Sequence, residues 1–172
     1  MKREFNKYLK TLSEKELVKE IQKLYAKFEP VRQFYKIELS GDTTALVTAY
    51  KAKMKKEYFP SRGYGKARSS VSRKIFSDFK KVSIFQKDVI DLLLYRVEMM
   101  LDFTLAYGDM DEPYYNTLEK SFDNACELIK KEQLESFFKT YCKKLVNKSS
   151  VFGWGVYDGM TYTYMNCFGE HP

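Results

Sequence analysis

A chain of 172 residues, 44% of them hydrophobic, is long enough to bury a core without disulfides or a structural metal, which excludes a disordered polymer. Three scattered cysteines without a CxxC pair, and His171 as the only histidine, exclude a disulfide framework, a Ser-His or Cys-His dyad and a His-built zinc or di-iron centre. Net charge is +7, and the excess is local: eleven of the 30 bases but only two of the 23 acids lie between Lys51 and Lys81, leaving the remainder slightly acidic.

In chain order the pattern is helical throughout. The opening MKREFNKYLKTLSEKELVKE has no apolar run behind its positive charges, so it does not read as a signal peptide. Ser13-Glu14-Lys15-Glu16 has the form of a capping box, and Leu17, Val18, Ile21, Leu24, Tyr25 and Phe28 follow it as one apolar stripe that stops or kinks at Pro30. A shorter helix, Val31 to Leu39, closes at Ser40-Gly41-Asp42, and Thr43 or Thr44 opens another that runs to about Tyr58.

Phe59 to Gly65 is the first true break. Beyond it, Lys66 to Val82, Lys87 to Tyr107, Tyr114 to Lys131 and Leu134 to Asn147 read as four further helices. The longest apolar region, Val89 to Ala106, is interrupted by Asp91, Arg96, Glu98 and Asp102, which argues against a membrane span. Residues 152–172 form a glycine- and aromatic-rich C-terminal segment in which a last short helix packs on the others. The expectation is an all-α, single helical domain over 1–172, with about seven to eight helices packed as antiparallel hairpins, in an irregular bundle or short solenoid-like array. It is expected in the cytoplasm, with its cysteines as free thiols.

Two groups of polar residues stand out. At about 100° per residue, Ala67, Val71, Ile75, Phe79 and Val82 form the inward stripe of the helix after the Gly63-Tyr64-Gly65 turn, and Lys66, Arg73 and Lys80 lie on its outer face. With Arg62, these three are the candidate anion or nucleic-acid contacts. The backbone amides of Gly63 to Lys66 would add donors for phosphate, and Tyr58, Phe59 and Tyr64 would add stacking. Extending the same helix geometry to Arg68 turns it inward, between Ile75 and Phe79. An unpaired buried charge is too costly to keep, so Arg68 is expected to pair with Glu98 or Asp102, and Arg96 to find a carboxylate or carbonyls elsewhere. Arg68, Arg96, Glu98 and Asp102 form a buried polar cluster on this reading.

FNKYLKTLSEKELVKEIQKLYAKFEPVRQFY, EYFPSRGYGKARSSVSRKIFSDFKK, EMMLDFTLAYGDMDEPYYN and GWGVYDGM span Phe5 to Met160. Together they resemble a family of small, all-helical bacterial proteins of unknown function. The resemblance implies a single cytoplasmic helical domain and brings no activity, substrate or catalytic residue with it.

The first functional reading is therefore a non-catalytic binding module whose basic face, 51–81, meets nucleic acid or another polyanion. It needs no cofactor or metal and has no membrane contact. The alternatives are a protein-interaction or scaffold domain and, ranked below it, a small-molecule enzyme with a polar pocket between helices 66–82 and 87–107.

Overall fold

The computed structural model describes all residues, 1–172, and consists of nine α-helices with no strand. It falls into two compact units, 1–42 and 43–172. No helix is long and apolar enough to cross a membrane.

The first unit holds α1 (Lys2–Thr11), α2 (Glu14–Lys27) and α3 (Glu29–Ser40). The Glu16 carboxylate accepts from both the Ser13 backbone N–H, at 2.8 Å, and the Ser13 hydroxyl, at 2.6 Å, so the start of α2 is fixed as its sequence signature requires. Pro30 does not end this helix. α2 stops at Lys27, Phe28 is extended, and Pro30 lies in the first turn of α3, where its missing N–H costs nothing. Arg32 caps the C-terminus of α2 by donating to the carbonyls of Tyr25, at 3.1 Å, and Ala26, at 2.8 Å. α1 adds a ninth helix to the expected seven or eight; its apolar positions Phe5 and Tyr8 are exposed, as is most of the α2 stripe.

The second unit holds α4 (Thr44–Tyr58), α5 (Ser69–Val82), α6 (Gln86–Tyr107), α7 (Glu112–Lys131), α8 (Glu135–Ser149) and α9 (Val156–Phe168). Substantial packing joins only helices one or two apart in the chain, as short connections favour. α6 is the central element: α4, α5, α7 and α8 all pack on it. That is why twelve of its 22 residues are buried, including Leu92, Leu94, Val97, Met100 and Leu101. α7 contributes Leu118, Phe122, Ala125 and Ile129 at spacings of three and four to the same core, and its first turn is capped by Asp111, which accepts from Tyr114 N–H at 3.0 Å. Val156, Met160, Tyr164 and Cys167 form the buried stripe of α9, which packs on α7 and α8. All three thiols, Cys126, Cys142 and Cys167, are buried and free.

The candidate anion site

The Gly63-Tyr64-Gly65 turn leads into irregular chain at residues 66–68, where Ala67 takes a left-handed φ of 46°, and α5 starts only at Ser69. Arg68 is thus the N-cap of α5 rather than a residue within it, and the 100° rotation that would turn it inward does not apply. Its guanidinium binds Glu57 at the end of α4 instead, with Nε at 2.9 Å and Nη2 at 3.0 Å from the two carboxylate oxygens. The Arg68 side chain is 53% exposed and that of Glu57 only 8%. The expected pairing of Arg68 with Glu98 or Asp102 is therefore corrected.

Of the backbone amides of Gly63 to Lys66 that were expected to offer donors to a phosphate, Glu57 takes that of Lys66. Its carboxylate accepts the Arg68 backbone N–H at 3.0 Å, and its carbonyl accepts those of Lys66, at 3.1 Å, and Ala67, at 3.4 Å. The hydrogen bond from Arg68 holds the Glu57 carboxyl below its ordinary range, against an opposing contribution from burial. A carboxylate with a lowered folded pKa stabilises the fold above its unfolded pKa and loses that contribution as pH falls through the folded value. Glu57→Gln is expected to cost about 1 kcal/mol at neutral pH, the Arg68 side of the pair being solvated. The difference from the parent protein should shrink in urea titrations as pH is lowered below the ordinary glutamate range and vanish once Glu57 is protonated in the folded protein.

Glu98 and Asp102 face α8. Glu98 accepts from the Tyr141 hydroxyl at 2.7 Å and from Lys144 at 3.0 Å, while Lys148 reaches Glu98 at 3.5 Å and Asp102 at 2.5 Å. Burial disfavours ionisation of Glu98, but Tyr141 and the two lysines outweigh it and keep its carboxyl below the usual range. The acidic stripe of α6 is a register clasp to α8, made with residues more than 40 positions later that carry no local signal in the sequence.

Arg96, two residues before Glu98 and so on the other side of α6, is separated from both acids. It is 5% exposed. Nε donates to Ser72 Oγ of α5 at 3.1 Å and Nη1 to Ser121 Oγ of α7 at 3.2 Å. Each serine hydroxyl in turn donates to its own helix, Ser72 to the Ser69 carbonyl at 3.2 Å and Ser121 to the Thr117 carbonyl at 2.6 Å. Both hydroxyls thus present lone pairs to the guanidinium, but neither presents negative charge. Nη2 lies beside the Tyr58 hydroxyl, which interacts favourably with the guanidinium, although neither atom meets full hydrogen-bond geometry with any group. The expected carboxylate or carbonyl partner of Arg96 is replaced by neutral hydroxyls, which leaves a buried charge hydrogen-bonded but without an opposite charge beside it.

Arg96 lies in the wall of a concavity of about 620 Å³ formed by α5, α6 and α7. Arg73 and Lys80 of α5 and Lys120 of α7 also line it, with Glu127 as its single acid. Burial pushes the Arg96 guanidinium down, with Tyr58 opposing and the charge of Arg73 adding to the effect of burial. A second concavity, of about 400 Å³, lies between α4 and α5 and is lined by Lys53, Lys56, Arg62, Lys66 and Arg68 around Glu57. The four expected anion contacts are all exposed, but α5 divides them: Arg62 and Lys66 line the smaller concavity, Arg73 and Lys80 the larger. Of the three aromatics considered for stacking, Tyr58 is fully buried and Phe59 packs flat on Tyr107 with centroids 6.0 Å apart, so both are removed from that role. Tyr64 is 83% exposed.

Sequence reasoning missed Glu57, Ser72, Lys120, Ser121 and Lys148. Only Glu57 had a signal, as the lone acid amid the bases of 51–68. No curated protein and no solved structure matches the chain. The model of a family of unknown function, DUF6155, matches residues 1–163, and the chain belongs to that family.

Proposed function

We propose that this protein is a non-catalytic binding module whose α4–α5 face engages nucleic acid or another polyanion. The observation that carries the reading is electrostatic. Of the eleven bases between Lys51 and Lys81, only Lys51, Arg68 and Lys81 have an ion-pair partner, leaving eight whose charge is unmatched. Lys53, Lys56, Arg62 and Lys66 of that set converge on one concavity whose only carboxylate is already held by Arg68. Phosphates arriving there would release their counterions without first breaking a salt bridge. Exposed Tyr64 beside Arg62 supplies a ring for an unstacked base.

Fluorescence anisotropy with a labelled single strand of about 20 nucleotides tests the reading. Binding should weaken steeply with added salt, and Arg62→Gln with Lys66→Gln should lower the logarithmic salt slope by about 2 and the affinity about tenfold. A salt-insensitive signal, or none, removes the proposal. A protein-interaction role is the second reading, supported by the apolar side chains of Phe5, Val18, Ile21 and Leu24 that α1 and α2 leave exposed.

A further inference from the structure

The larger concavity contains a feature that a solvated basic face does not. An arginine only 5% exposed sits in its wall, its guanidinium held by the Ser72 and Ser121 hydroxyls with that of Tyr58 beside its third nitrogen, and with no ion-pair partner. Internal ion pairs that fix helix register look different here: Glu98 and Asp102 on the same helix are each matched to a lysine. Arg96 instead has like charges for company, since Arg73, Lys80 and Lys120 line the same space and none of the three is ion-paired. Four bases against Glu127 alone leave a local excess of positive charge around a volume in the range of small-molecule sites.

Part of the remaining wall is apolar. Phe76, Leu93 and Leu128 line it, and the Lys80 ammonium rests 5.7 Å from the Phe76 ring centroid, which places a charged and a flat hydrophobic surface side by side. Asn124 and Thr117 add neutral hydrogen-bonding groups at the α7 side. We propose that this concavity is a site for a small phosphomonoester. Its phosphate is held by Arg96 with Arg73, Lys80 and Lys120, and its apolar or aromatic body lies on Phe76 and Leu128.

A dianionic phosphate suits this arrangement because it can accept from several cations at once and neutralise a charge that the protein itself leaves unmatched. The inference does not rest on the polyanion reading, which concerns the other side of α5. Lys53, Lys56, Arg62 and Lys66 take no part in it.

Thermal unfolding and titration calorimetry with inorganic phosphate and with phenyl phosphate, each against chloride at matched ionic strength, test the site. Phenyl phosphate is expected to raise Tm saturably by about 5 °C and to bind about tenfold more tightly than inorganic phosphate. Lys80→Gln with Lys120→Gln, both exposed positions, should weaken phenyl phosphate at least about tenfold. Arg62→Gln with Lys66→Gln should leave its affinity unchanged while reducing oligonucleotide binding, so the two sites fail or succeed separately. Arg96→Met should abolish the ligand-induced shift without lowering the Tm of the ligand-free protein, because it removes a buried charge that no acid pairs; the Lys80 and Lys120 pair carries the test whether or not that variant folds. No shift beyond chloride, or a shift that survives the Lys80 and Lys120 changes, overturns the proposal.

Discussion

Gly65→Ala is expected to destabilise the protein by about 3 kcal/mol, a cost in the range of overpacked or strained positions. The glycine is not required for a left-handed backbone; its neighbour Gly63, at φ 73°, has that role. What Gly65 provides is room. A Cβ built on it falls inside the carbonyl group of Tyr58, the last residue of α4, and the obstructing atoms are backbone, which cannot rotate away. Relief requires moving the turn that carries residues 63–68 back over the end of α4. That movement would break the hydrogen bonds of Lys66 and Ala67 to Glu57 and pull Arg68 from the carboxylate. Urea unfolding should therefore show a lowered midpoint together with loss of the acid sensitivity attributed to Glu57. A Gly65→Ala protein as stable as the parent would mean that the turn does not approach α4 so closely.

Phe122→Ala is expected to cost about 4 kcal/mol, the usual range for truncating a fully buried phenylalanine. Phe122 has no solvent exposure and lies on the face of α7 that meets the common core with Leu118, Ala125 and Ile129. Its neighbours are fixed by the helices around them, so the cavity would collapse only in part. Leu24→Ala, in α2, provides the contrast: Leu24 is exposed and α2 buries no residue, so its loss should cost under about 1 kcal/mol. Equal effects of the two substitutions in denaturant unfolding would contradict the assignment of the principal core to residues 43–172.

The basic segment shows how much is legible without the structure. Periodicity places Arg73 and Lys80 outward and Phe79 and Val82 inward, and those exposures hold; Lys66 is exposed too, but from the irregular chain before the helix. Periodicity fails at Arg68, because the helix that justifies the rotation begins only at the next residue. A helix started too early along the chain turns an exposed N-cap into a supposed core charge. At Arg96 the burial is legible from the apolar residues around it. Its partners are not, because Ser72 and Ser121 look like ordinary helix serines until α5 and α7 are set on either side of α6.

By itself the sequence determined the helical class, most of the helices, the apolar face of each and the local excess of positive charge. These follow from propensity, capping and spacings of three and four residues, which act within one helix. Only the tertiary structure decided that Glu57 holds the chain just after the glycine turn, that α8 covers the acids of α6, and that Arg96 meets hydroxyls beside a cationic hollow. Those outcomes depend on which helices are neighbours and how the chain turns between them. A charge's partner is chosen by distance in space, and distance along the chain does not encode it.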